Sequence, residues 1–299
     1  MEKVTFLLKE IRNIEVFCLS LVIGTFLISS SSYPCTLWFA AGDRVEGGGT
    51  LIAKNRDWVP NHLQVLGLSS IHDSGHRYLG LIAQGNKSPG LKAGVNEHGF
   101  VVVTASPPSY LGQNKELKRV HGIARRMLAQ CKNITEALSH HEWLVGPQFL
   151  MLAAPAELAL IELGLDGEFR VQTIKSGVLF HSNHYIDPKL MHLNKGKPGV
   201  SSVHRHEKIR QFMTSKERFK LDDFIQVSGS TDGGPDNSLW RTGSKPNSTQ
   251  TLATWIVHQP IGGDALLYLK IANPSNEIKE YRFKLKDIFS GKVNLSEVQ

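Results

Sequence analysis

Residues 35–41, CTLWFAA, and residues 50–58, TLIAKNRDW, flank the triplet Gly47-Gly48-Gly49. Both segments are rich in the apolar, β-branched and aromatic side chains that favour buried strands. The glycines supply the positive φ that a chain reversal needs. The pair therefore predicts an antiparallel hairpin. Its arithmetic adds a register: if Cys35 faces Asp57, the midpoint falls at residue 46, at the edge of the glycines. Asp57 is then expected beside Cys35.

Upstream, residues 1–34 read differently. Lys9 and Arg12 precede an almost unbroken apolar run over 14–28, followed by serines at 29–32. Charge, apolar stretch and then small residues is the layout of a secretory signal. The run is shorter than the roughly 20 residues that span a bilayer comfortably. The expectation is an exported protein whose residues 1–34 are removed as a signal or pro-segment. That leaves 35–299 as the working domain, with no stable membrane partner. An uncleaved anchor is the alternative. In the first 34 residues Lys3, Lys9 and Arg12 balance Glu2, Glu10 and Glu15, so the formal charge of +7 belongs to the later part. That excess suits anionic substrates or an anionic surface. No dense Lys/Arg run with interleaved aromatics accompanies it, which argues against nucleic acid.

Downstream of Cys35 there is no linker, charge block or repeat, and one domain is expected. Strands are predicted at 63–68, 78–83, 100–105, 149–153, 158–163, 169–174, 178–181, 252–258, 265–271 and 280–285. Helices are predicted at 115–130, where Leu117, Val120, Ile123, Ala124, Met127 and Leu128 share a face, and from a capping box at Asn133 and Glu136 through Trp143. Further helices are expected at 203–214 and 221–227. Strands, then helices, then strands predict an α+β fold of two antiparallel sheets with helices packed outside.

Cys18, Cys35 and Cys131 are the only cysteines. Cys18 lies in the signal and Cys131 ends an apolar helical stripe, where a free cysteine packs as a small apolar residue. Three readings are open for Cys35. It is a lipid-modified cysteine, though Pro34 is not the small residue that such processing wants. It is an ordinary core or surface residue. Or cleavage before it frees an α-amine on the residue that carries the thiol. An α-amine has a pKa near 7.7–8.0, so it can take the thiol proton without a histidine. Such a nucleophile needs a group to orient its amine and donors for an oxyanion. Asn183 follows a predicted strand and can donate an amide N–H to an oxyanion; otherwise it is a turn residue.

The motifs around these residues resemble the choloylglycine hydrolase and penicillin acyltransferase-like families. Cys35 with Asn55-Arg56-Asp57-Trp58 resembles their catalytic cysteine and Asn-x-Asp-Trp strand. Gly94-Val95-Asn96-Glu97-His98-Gly99 resembles their Gly-x-Asn-Glu-x-Gly hairpin. Ser182-Asn183-His184-Tyr185 is similar to the Thr-Asn-His-Phe segment of the acyltransferase-like branch. Ser202-Val203-His204-Arg205-His206-Glu207-Lys208 is similar to that branch's Ser-x-x-Arg-Tyr-Glu-Arg helix start. Each motif is weak alone, and the ordered set is specific.

The resemblance implies an αββα N-terminal-nucleophile hydrolase fold and cleavage or transfer at a linear carboxamide C–N bond of a small N-acyl compound. It implies Cys35 as nucleophile and Asp57 as the acid that orients it. Asn183 becomes the amide that stabilises the tetrahedral intermediate, and Arg205 the holder of the hydrogen-bond network. Asn55, Lys54 and Ser106 fall at substrate-side positions. Lys54 stands where choloylglycine hydrolases have arginine, and Ser106 near their second oxyanion asparagine. The Asp-His and Cys that the acyltransferase-like branch often carries have no match around Asp232–Trp240.

Other chemistries lack their signatures. His140-His141 and His204-x-His206 are the tightest histidine clusters, and neither has a second half at zinc spacing. Neither dinucleotide, phosphate-loop nor Gly-x-Ser-x-Gly motifs occur. No cofactor and no metal are expected, and no sequence feature assigns a quaternary state. An acyltransferase, or a lipid-anchored binding protein without catalysis, are the competing functions.

Overall fold

The hairpin is present, and both its strands are covered on both faces. The computed structural model describes residues 34–69, 75–85, 88–108, 120–196, 198–295 and 298. The signal reading over 1–33 and the first turns of the helix expected at 115–130 lie outside those residues. β1 (Cys35–Ala41) and β2 (Thr50–Trp58) are buried at every position. Leu37 and Phe39 enter one apolar layer, Trp38 and Ala40 another. Burial on two sides removes the alternation that a half-exposed strand shows, so these segments read as continuous apolar runs.

The strands form two antiparallel sheets. β1 and β2 join β10 (Gly177–His181), β11 (Gln250–Gln259), β12 (Leu266–Ile271) and β13 (Lys279–Lys284) in the order β10-β1-β2-β11-β12-β13. The second sheet runs in chain order: β3 (Leu63–Leu68), β4 (Tyr78–Gln84), β5 (Gly90–Asn96), β6 (Val101–Ala105), β7 (Gln148–Ala154), β8 (Glu157–Leu163) and β9 (Phe169–Ile174). Cys35, Leu37, Ile52, Val103, Met151 and Trp255 fill the layer between the sheets. Against the outer face of the second sheet pack α1 (Ile123–Gln130) and α2 (Ile134–Ser139). Against the outer face of the first pack α3 (Val200–Thr214) and α4 (Leu221–Ser228), with Trp38 meeting Ile209, Met213 and Phe224. The result is the expected αββα stack. A short α5 (Leu285–Phe289) follows β13. No helix among the described residues is long and apolar enough to cross a membrane.

The hairpin register differs from the expectation by one residue. Cys35 pairs with Arg56, not Asp57, and Ala41 pairs with Thr50. The reason lies in the connection, where Gly42–Arg44 form a 3-10 turn before the glycines. Arg44 donates to the carbonyls of Met213, Lys216 and Glu217 at and just beyond the end of α3, fixing that turn. Gly49, at φ 85°, passes so close to Gln259 that a Cβ would lie 1.9 Å from its carbonyl oxygen. A one-residue slip exchanges the two faces of a strand. Arg56 and Lys54 therefore share the inter-sheet face with Cys35, while Asp57 and Asn55 face the helices.

Two other elements depart from expectation. Asn133 caps α2 by accepting from the Glu136 N–H at 2.9 Å. Glu136 returns to the Lys132 N–H at 2.7 Å rather than to the Asn133 backbone N–H, so the capping box closes one residue early, while the Asn133 side-chain amide donates to Glu136 Oε1 at 3.2 Å. The helix stops at Ser139, and a 3-10 turn at His141–Trp143 follows. β5 is absent from the sequence-based expectation, because Gly90, Lys92 and Gly94 dilute its apolar pattern.

Candidate active site

Cys35 begins β1 with 2% of its surface exposed, at the end of the hairpin remote from the glycine turn. Its backbone nitrogen donates to Asn183 Oδ1 at 2.8 Å. Asn183 lies just past β10, which pairs Leu37 with His181 and so delivers the next residues beside Cys35. Ser202 in the first turn of α3 fixes it from behind, accepting from the Asn183 N–H at 2.9 Å. The Asn183 amide nitrogen donates to the carbonyl of Ser106 at 2.8 Å.

Arg205, fully buried on α3, joins these parts. It donates to the Cys35 carbonyl at 2.8 Å, to Thr36 Oγ1 at 2.6 Å and to Asn183 Oδ1 at 3.0 Å. One planar guanidinium thus fixes the backbone of the cysteine and the side chain that receives its nitrogen. Behind it, Asp57 Oδ2 stands 4.0 Å from Arg205 and 4.0 Å from Arg241, while Thr251 donates to Asp57 Oδ1 at 2.8 Å. Burial pushes the Asp57 carboxyl above its ordinary value against the opposing pull of the two arginines and Thr251. The carboxylate reaches the site through Arg205, while the Asp57 backbone N–H bonds the Cys35 sulfur.

The thiol points into the inter-sheet layer, where Lys54 and Arg56 lie against it. Burial alone pushes the thiol up. Lys54, Arg56 and the Asp57 N–H outweigh burial, and Cys35 falls below its ordinary value. A lowered thiol beside cations is the setting in which cysteines take on thiolate character. Lys54 also donates to the Thr104 carbonyl. Arg56 stacks over Trp58, 4.4 Å from the ring centroid.

Of the residues expected at the site, Cys35, Asn183, Arg205 and Lys54 come together. Ser106 joins through its carbonyl. Asn55 does not: its amide nitrogen donates to the carbonyls of Ser228 and Leu239 at 2.9 and 2.8 Å, and its oxygen accepts from Thr254 at 2.7 Å. It ties β2 to α4 and β11 on the face away from the thiol. Arg56, Thr251, Arg241 and Ser202 escape the sequence reading. Arg56 was hidden by the expected register, which put Asp57 rather than Arg56 on the face of Cys35. The long-range partners carry no local signal.

A family model described as acyl-coenzyme A:6-aminopenicillanic acid acyl-transferase matches residues 44–273. No curated relative matches the sequence. Among solved structures, a mutant of the conjugated bile acid hydrolase from Clostridium perfringens superposes with a TM-score of 0.53 at 14% identity, covering 87% of this chain and 94% of that one. Another variant of that hydrolase gives 0.49 at 14% identity over 87% and 94%. The first likeness is one of fold, that of N-terminal-nucleophile hydrolases. On the extent of the family match, the chain belongs to the acyl-coenzyme A:6-aminopenicillanic acid acyl-transferase family.

Proposed function

We propose that the protein is an exported amidase that cleaves the linear carboxamide bond of a small N-acyl compound through an acyl-enzyme on Cys35, once residues 1–34 are removed. The observation that carries this reading is the Cys35 nitrogen, 2.8 Å from Asn183 Oδ1, on a residue whose thiol lies against Lys54 and Arg56. Cleavage before Cys35 leaves an amine at that nitrogen. The unprotonated amine takes the thiol proton, and sulfur attacks the substrate carbonyl carbon. The tetrahedral oxyanion is met by an amide N–H of Asn183, which exchanges its bond to Ser106 for one to substrate. The ammonium of Cys35 returns its proton to the leaving amine as the C–N bond breaks. Water, activated by the same amine, then releases the acid.

Transfer to a second amine instead of water is the competing reading, and the family description favours it. The test uses protein beginning at Cys35, incubated with N-acyl amino acids, bile-salt conjugates and penicillins. Amine release, with an acyl adduct on Cys35 by mass spectrometry and none on Cys35→Ala, is expected. Adding hydroxylamine separates the two readings: a hydrolase gives mostly acid, a transferase mostly hydroxamate. A lipid on the Cys35 nitrogen or sulfur of the mature protein would end both.

A further inference from the structure

The face of the first sheet that carries the thiol also carries more positive charge than its surroundings balance. Lys54 and Arg56 are 0% and 2% exposed. A third cation comes from the opposite sheet. In β4–β5, Leu81 pairs with Ala93 and Ile82 with Leu91, so Lys92 is the extra residue of a bulge. Bulges re-aim a side chain that regular pairing would direct elsewhere. Thr104 connects Lys92 to Lys54, donating to the Lys92 carbonyl at 3.3 Å and accepting from Lys54 through its own. The half-buried Lys92 ammonium donates to the carbonyls of Ser88 and Pro89 at 2.8 and 3.4 Å, within Coulombic reach of Arg56, Lys54 and Cys35.

The countercharges are committed elsewhere. Asp57 faces Arg205 and Arg241 on the other side of the sheet. Glu162 is held by His181 at 2.8 Å and by the N–H groups of Ile186 and Asp187. Among the described residues the Cys35 sulfur is the acidic group that acts on all three cations, and Asp57 adds a weaker pull on Lys54 and Arg56 from the other face of the sheet. Arg56 Nε, buried, has no hydrogen-bond partner. The strain is visible on Lys92: burial, then Arg56 and Lys54, lower its pKa to about 7. Like charges brought together in a low dielectric are costly unless an anion completes the set.

We propose that Arg56 and Lys92 form a carboxylate-binding subsite beside the nucleophile, so that the N-acyl substrate is an anion. This deepens the reading of Cys35 as an amidase nucleophile. The carboxylate stands either on the amine half, as in an N-acyl amino acid, or on the acyl half, as in a dicarboxylic monoamide. Arg56, whose terminal nitrogens already meet the Asp57 carbonyl at 2.7 Å and His62 Nδ1 at 3.5 Å, offers its Nε–H, and Lys92 offers a point charge, which together hold one carboxylate without displacing Lys54 from the sulfur.

The experiment measures binding, so it does not depend on turnover. Calorimetry on the Cys35→Ala protein beginning at residue 35 compares N-benzoylglycine, the anilide of glutaric acid and neutral N-benzoylethanolamine. At least one anion is expected to bind about tenfold or more tightly than the neutral amide. Lys92→Met and Arg56→Met should each collapse that preference, and Lys92→Arg should restore most of it. The preferred anion identifies which half carries the charge. No preference for either anion, or a preference that survives in both Met variants, overturns the subsite. A preserved preference without amine release from the Cys35 protein would instead overturn the amidase reading and leave the subsite standing.

Discussion

The side-chain oxygen of Asn183 accepts from the Cys35 nitrogen at 2.8 Å, and the same oxygen is held by Arg205 at 3.0 Å. One amide therefore orients the group proposed as base, while its N–H end is held at the Ser106 carbonyl at 2.8 Å. Asn183→Ala is expected to lower kcat on the order of 10²-fold or more, as on losing an oxyanion donor. It also leaves Arg205 and the Ser106 carbonyl short of a partner, so a fall in stability of about 1–3 kcal/mol accompanies it. Kinetics well below each Tm separate the effects. Retention of more than half the activity returns Asn183 to a turn role.

Asn55 makes the contrasting case. With three buried hydrogen bonds on the helix-facing side, Asn55→Ala strands two carbonyls and the Thr254 hydroxyl. A loss of roughly 2–5 kcal/mol in urea unfolding is expected. The folded fraction should keep kcat/KM within about threefold, since no reacting atom has moved. A large kcat/KM defect with normal stability would place Asn55 at the substrate after all.

These two asparagines show what the sequence carried and what it hid. Both stood in recognisable motifs, and residue type suggested a site role for each. The deciding fact is which face of the sheet a side chain takes, and that depends on register. A 3-10 turn tied by Arg44 to carbonyls at the end of α3 shifted the hairpin by one residue. No local pattern announces a contact between residues 44 and 217. The two-sheet architecture was legible because strand segments such as 63–68 and 169–174 carry their own pattern. β5 was not, since its glycines serve close packing: a Cβ on Gly94 would stand 2.5 Å from Leu128.

Unprocessed protein should be inactive. While Cys35 is amide-bonded to Pro34, its nitrogen has no lone pair to accept a proton. A variant blocked at the 34–35 junction is expected to fold and to show no amine release, with cleavage state checked by intact mass. Full turnover from demonstrably uncleaved protein refutes the terminal-amine mechanism.

Acid should loosen the wall behind Asn183. His184 shares Ser202 with Asn183, its Nδ1 lying 2.9 Å from Ser202 Oγ, and its ring contacts His206 at 5.3 Å. Burial foremost, then neighbouring histidines, lowers both to about 4. An unfolded histidine titrates near 6.5, so between these values the unfolded chain binds more protons. The stability is fully present above about pH 6.5 and is lost as pH falls toward 4, at up to about 1.4 kcal/mol per pH unit per histidine. Urea unfolding from pH 7.5 to 4.5 should show this slope, and His206→Gln should flatten it. Identical slopes in the two proteins would remove the histidines from the explanation.

Asp57 tests the electrostatics of the whole arrangement. Its Oδ2 stands 4.0 Å from both Arg205 and Arg241, and Arg205 in turn grips the Cys35 carbonyl at 2.8 Å. Asp57→Asn removes the negative charge and leaves Arg205 and Arg241 without it behind the proposed Cys35 amine. Both changes disfavour the ammonium, so the amine pKa falls. Activity that rises as the amine loses its proton should therefore rise at lower pH in the variant than in the parent, where the reference value is about 7.7. Turnover should also drop, because Arg205 loses the carboxylate behind it. Stability should fall by about 3–5 kcal/mol, the usual result of breaking a buried charge pair from one side. Thr251 can still donate to the oxygen of the introduced amide, as it does to Asp57 Oδ1, which gives the variant a chance to fold. The pH dependence of kcat/KM for both proteins, each measured where it is folded, decides the matter. Loss of stability with an unmoved limb would make Asp57 a structural clamp for the arginines, with no electrostatic reach to the Cys35 amine.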